Sequence, residues 1–153
     1  EDPDLSIRLW EMGYETRLFT KAFVYHKRRI DWDKFTVQVS KFGKARPILN
    51  SWYPQYSKLT FFFPTFFIIG FFVSLILLIF SQDILLKIYF CYFLALFLLS
   101  SIQNKSIKIG YLSLIAVWKQ FYGYGLGFLK SYIKVIVLKQ DPKKAFPELF
   151  FKI

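Results

Sequence analysis

Two long apolar blocks dominate the chain. Residues 59–80, "LTFFFPTFFIIGFFVSLILLIF", contain no charged side chain. At about 1.5 Å per residue, a helix of that length covers ~30 Å, the hydrocarbon thickness of a bilayer. Pro64 falls in its first turns, where the missing N–H is tolerated. Only Ser81, Gln82 and Asp83 separate it from residues 84–102, "ILLKIYFCYFLALFLLSSI". The one charge there, Lys87, sits near the start, where it can snorkel. The pattern predicts a tight transmembrane hairpin. A buried core hairpin is excluded on length, because nothing else in the chain could cover two such helices all round.

A third apolar stretch, 109–129, differs. It has Lys119 and Gln120 at its middle and then "GYGLGF". Lys41, Lys44, Arg46 and Lys58 precede the hairpin, and Lys105 and Lys108 follow it. Lys130, Lys134, Lys139, Lys143 and Lys144 follow the third stretch. The positive-inside rule puts all three basic groups on the cytoplasmic side. That favours an interfacial or re-entrant third segment, with an ordinary span close behind. The glycines would allow close helix contact or an uneven backbone path.

The first 58 residues read as part of a soluble domain. Asp2 can cap a helix over 3–12, with Pro3 at its first position and Gly13 as its stop. "YETRLF" and "AFVYH" read as short strands around a turn at Thr20–Lys21. Asp31 can cap a second helix over 32–46, which should end before Pro47. The expected division is therefore 1–58, then the hairpin 59–102, then 103–153 with a basic tail.

Composition narrows the partners. The chain has 153 residues, 20 of them Phe, and 21 Lys and Arg against 10 Asp and Glu, a net charge of +11. Basic charge beside apolar blocks points to anionic lipid headgroups or phosphorylated substrates. A nucleic-acid partner is not expected, since such domains do not carry long uncharged runs. The single cysteine, Cys91, allows no disulfide within the chain and no metal framework.

The order "EDPDLSIRLWEMGYETRLF", "AFVYHKRR", "KFTVQVSKFGKAR", "WYP" and then apolar spans resembles the C-terminal half of bacterial membrane-bound family 2 glycosyltransferases. The resemblance covers essentially the whole chain, and "ED-x-DLS-x-R" is its most specific part. It implies an α/β fragment, the C-terminal part of a GT-A catalytic domain, followed by α-helical transmembrane segments. It also implies an inverting transfer from a nucleotide-sugar to a saccharide or lipid-linked acceptor, at the cytoplasmic face of a bacterial membrane. Residues 1–58 would lie in the cytoplasm. The start without methionine, inside a motif, reads as the C-terminal piece of a longer protein. The missing part would bind the nucleotide and most of a divalent metal (Mg or Mn), and residues 1–153 alone would be inactive.

By the resemblance, Asp2 is the catalytic base and Glu1 its neighbour, orienting it or contacting the acceptor. A carboxylate that removes the acceptor's proton contributes roughly 10²–10⁴ in rate. On residue type alone, Glu1, Asp2 and Asp4 are helix-start acids. His26 could touch the diphosphate or complete a metal shell, although a lone His is more often structural. Lys27, Arg28 and Arg29 suit a diphosphate or lipid phosphate, or a solvated loop. Processive relatives carry Q-x-x-R-W. Here Gln38 and Arg46 stand eight apart without an adjacent Trp, which favours single-sugar transfer. Trp32, Trp52 and Tyr53 read as interface anchors. Three rival readings remain: a non-catalytic membrane anchor or assembly subunit, a small transporter or channel subunit, and a nucleic-acid binder.

Overall fold

The computed structural model describes residues 2–25 and 31–150, the side chain of Asp2 excepted. All regular structure among them is helical. The expected α/β fragment is thus overturned. Residues 14–19 and 22–25 are irregular and exposed around a turn at Thr20–Lys21. Their β-rich composition does not suffice, because a strand needs a neighbour to take its backbone N–H and C=O groups. The described segments offer none.

Helix α1 spans Asp2–Glu11. It stops at Gly13, whose φ of +84° sends its own N–H and that of Tyr14 back to the carbonyls of Trp10 and Leu9. Helix α2 spans Trp32–Trp52, and Asp31 caps it by accepting from the N–H groups of Asp33 and Lys34. The expected end before Pro47 is a second correction. Proline removes the bond to the Gly43 carbonyl and disfavours helical geometry at Arg46. Burial of Pro47, Ile48 and Leu49 offsets that loss and carries the helix on to Trp52.

Helices α3 (Phe63–Ile79) and α4 (Ile84–Gln103) form the hairpin. Ser81 takes a positive φ of 60° in the turn, and Lys87 pairs with Asp83 at 2.8 Å. The segments Leu59–Ile79 and Ile84–Gln103 are long and apolar enough to cross a membrane, with mean hydropathy 2.6 and 2.0. Only 17% and 0% of them is buried within the protein. Large side chains such as Phe66, Ile76, Phe90 and Leu99 face outward. A soluble core helix would be covered by its own fold, so these faces point to lipid.

Helix α5 (Ile107–Ser131) is one unbroken helix and continues into a π-helical turn, Tyr132–Val137. It is the centre of the fold, touching α2, α3 and α4. Its first turns lie on the end of α4, where a Cβ on Gly110 would overlap the Ser101 hydroxyl. Its later turns lie on the start of α3, where Thr65 Oγ1 donates to the Gly125 carbonyl at 3.2 Å. Trp118 sits between Phe71 and Phe93, with ring centroids 4.8 and 6.3 Å away. α5 therefore touches both limbs of the hairpin, at the end of α4, the start of α3 and, through Trp118, the middle of each. On another face, Gly123 receives Val39 of α2 and Gly127 receives Ser40. The glycines thus serve close helix contact.

The tail returns to α2 through α6 (Pro142–Ala145). Phe146 is 2% exposed and packs with Ile48 and Val135. The ammonium groups of Lys44 and Lys134 lie 5.8 and 5.5 Å from its ring. Such cation–π contacts contribute roughly 0.5–2 kcal/mol.

Candidate functional site

The acidic helix α1 is docked on the segment that follows α2. Asp4 makes the joint. Its Oδ2 pairs with Arg8 at 2.9 Å, and its Oδ1 accepts from the Tyr53 hydroxyl at 2.9 Å. Gln55 donates to Glu11 at 2.7 Å, and Trp10 packs against Tyr56 at 5.7 Å between ring centroids. The Asp4 hydrogen bond is the main cause that pushes the Tyr53 phenol above its ordinary pKa, so Tyr53 stays a donor. Both Asp4 oxygens are engaged, which suits anchoring rather than proton transfer.

This docking leaves an open cleft of about 500 Å³ between α1, the last turns of α2 and the tail. Ile48, Leu49 and Trp52 line it with apolar surface. Asp4, Arg8 and Lys143 supply charge. Behind it, Lys44 holds Glu148 at 2.9 Å, and that ion pair lowers the Glu148 carboxyl below its ordinary pKa. An aromatic wall with a few convergent charges is the composition of a polar-ligand site.

The expected site residues distribute unevenly. Asp2 opens α1, so it stands at that helix's N-terminal end, beside the cleft's Asp4 in sequence. Glu1 and the group His26, Lys27, Arg28 and Arg29 lie outside the described residues. Gln38 and Arg46 do not line the cleft. Gln38 is half-buried on α2. Arg46 is stacked on Phe61, its guanidinium carbon 3.7 Å from the ring centroid, and so ties α2 to the entry of the hairpin. The cleft also includes Lys143, which the sequence placed only in a basic tail. Trp52, expected as a membrane anchor, forms part of the cleft wall, while Tyr53 beside it holds Asp4.

The implied divalent metal finds no donor set here: among the described residues, no three His, Cys, Asp or Glu side chains come together. Cys91 is free and exposed on α4.

No protein-family model matches the chain, and no curated protein or solved structure matches it either.

Proposed function

We propose that this chain is the membrane-side part of an inverting glycosyltransferase, moving a sugar from a nucleotide-sugar to an acceptor hydroxyl at the cytoplasmic face of a bacterial membrane. The observation that carries it is the docking of α1. The helix that opens with the acidic motif is fixed by Asp4 to Tyr53, beside an open cleft. That segment leads into the apolar hairpin.

In this reading Asp2 takes the acceptor's O–H proton as that oxygen attacks the anomeric carbon. The bond from that carbon to the donor's diphosphate breaks, and the diphosphate leaves with the electron pair. Configuration inverts because attack and departure occur on opposite faces. The N-terminal end of a helix favours the ionised carboxylate that a base must be. Glu1 orients Asp2. Lys27, Arg28 and Arg29 offset the leaving group's charge. Gln38 and Arg46 stand outside the cleft lining, although Ala45 beside Arg46 is part of it.

The membrane placement follows from the same frame. A hairpin that crosses and returns leaves the start of α3 and the end of α4 on one side. α5 packs on the end of α4 through Gly110 and on the start of α3 through Gly125, and in this reading it stays on that side without a third crossing. Lys108, Lys119 and Lys130 along it suit headgroup contact. The acid helix, α5 and the lysine-rich tail then share the cytoplasmic side, in accord with the positive-inside rule.

The test is Asp2→Asn in the full polypeptide, reconstituted in vesicles with nucleotide-sugar and acceptor. Turnover should fall at least ~10²-fold, with donor binding and helix content kept. Retained turnover would favour a non-catalytic anchor whose acids only start a helix.

A further inference from the structure

We propose that a groove beside Lys119 holds one anionic phospholipid, its phosphate on the Lys119 ammonium and one acyl chain along the floor between α4 and α5. The open groove has a volume of about 570 Å³ and shares no lining residue with the cleft at α1. That volume falls within the roughly 300–1,000 Å³ of small-ligand sites. Its floor is apolar: Phe93 from α4, and Leu114, Ile115 and Trp118 from α5. Polar atoms gather at one edge, where Lys119 of α5 meets Thr36 of α2.

Lys119 is half-buried. The ion pairs among the described residues join Asp4 to Arg8, Glu15 to Arg17, Lys44 to Glu148 and Asp83 to Lys87, and Lys119 is in none of them. Among the described residues its ammonium meets only Thr36 Oγ1, at 3.4 Å, and that hydroxyl gives its own proton to the Trp32 carbonyl at 2.8 Å. An ammonium has three donors, so it retains capacity for an anion.

The position of the groove selects the occupant. Phe93 is at mid-length of α4, a helix whose outer face, including Phe90 and Leu94, is left to lipid. A chain lying on Phe93 and Trp118 continues directly into that lipid. A cation at the edge of hydrocarbon is matched by a lipid phosphate at headgroup depth, with the acyl chain running inward. The inference rests on the bilayer reading of the hairpin and is independent of sugar transfer.

The test uses the whole chain with Trp118 as its sole tryptophan (Trp10, Trp32 and Trp52 each→Phe). It is reconstituted in phosphatidylcholine vesicles doped with brominated phosphatidylglycerol or brominated phosphatidylcholine. Trp118 fluorescence should be half-quenched at about fivefold lower content of the anionic lipid, the preference expected of one lysine. Lys119→Gln should equalise the two lipids, and Lys119→Arg should keep the preference. Equal quenching in the Lys119 protein would overturn the proposal, and that comparison needs no charge variant to fold. A preference that survives Lys119→Gln would also overturn it. So would loss of preference in excess inorganic phosphate, which would make the ligand a free anion. Absence of quenching by either lipid would remove the bilayer from around the hairpin, and the proposal with it.

Discussion

Replacing Gly43 by alanine isolates the contact that joins the polar half of the protein to the membrane half. A Cβ there would overlap the Tyr124 carbonyl oxygen and come within 2.9 Å of the Tyr124 Cα and carbonyl carbon. These are backbone atoms of α5, so no side-chain rotation relieves the clash. Ordinary contact begins near 3.4 Å, and the axes would have to part by the difference, on the order of 1 Å. That separation loosens the neighbouring seats of Val39 on Gly123 and Ser40 on Gly127. Over-packing of this kind costs about 1–3 kcal/mol, and three backbone atoms argue for the upper end. Alanine returns about 1 kcal/mol of helix propensity. The net loss is about 2 kcal/mol, or a fall in Tm of about 4–8 °C for a chain this size. Gly70→Ala is the comparison, since its Cβ would meet only the Tyr89 hydroxyl, at 2.6 Å, the far end of a side chain. Moving that hydroxyl loses its bond to the Phe67 carbonyl, about 1 kcal/mol, which the propensity gain cancels. Thermal unfolding in one detergent reads both. If Gly43→Ala melts at or above the Tm of Gly70→Ala, the close packing of α2 on α5 is not what holds them.

Three further outcomes follow from the same contacts. Tyr53→Phe removes the hydroxyl that Asp4 accepts from, so α1 should detach more readily by about 1 kcal/mol, read as roughly fivefold faster limited proteolysis between residues 12 and 25. Lys44 holds the Glu148 carboxyl below its ordinary 4.5, so the tail is stabilised above pH 4.5 and loses that support as pH falls through the lowered value. Trp52, 6.2 Å from Phe150 between ring centroids, should report the release, and Glu148→Gln should abolish its pH dependence in that window. With Cys91→Ser as background, Lys41→Cys and Lys139→Cys should react with an impermeant thiol reagent from the same side of sealed vesicles; labelling from opposite sides would make α5 a crossing helix.

The legible parts of this fold were those decided by neighbours in sequence. The hairpin needed only uninterrupted apolar runs and the short gap at Ser81–Asp83. Asp31 and Gly13 acted as cap and stop because capping is a matter of two or three residues. The failures were decided at a distance. Pro47 reads as a helix end until Val135 and Phe146 arrive to bury the turn after it. "YETRLF" has strand composition, but composition cannot supply a partner strand. The run "GYGLGF" announced close approach without saying to what. Its alternate glycines face two different helices, Gly123 and Gly127 towards α2 and Gly125 towards α3. Asp4 looked like one more helix-start charge, and its partner Tyr53 lies 49 residues on.

Those same contacts form a continuous mechanical path from lipid to acid. The hairpin's Pro64–Thr65 backbone rests on Gly125, and α5 turns Gly123 and Gly127 to α2. The end of α2 passes through Tyr53 to Asp4, and so to the first turn of α1. Each joint before Tyr53 is backbone against backbone or nearly so, where a shift of a few tenths of an ångström is resisted by whole helices rather than by single rotamers. In hydrocarbon there is little hydrophobic force to press helices together, so close approach through small residues is the means available. Position is therefore transmitted stiffly as far as α2, and only the last joint, a pair of hydrogen-bonded side chains, is soft. Under the proposed glycosyltransfer reading, that order would hold the acid helix at a fixed height above a bilayer and let it yield locally at the cleft. It also separates two kinds of damage. Substitutions at Gly43, Gly125 or Gly127 should lower the Tm of the whole assembly, whereas Tyr53→Phe should leave the Tm nearly unchanged while α1 alone loosens. If Tyr53→Phe lowered the Tm as far as Gly43→Ala does, α1 would be part of the rigid frame, and a yielding last joint would have to be abandoned.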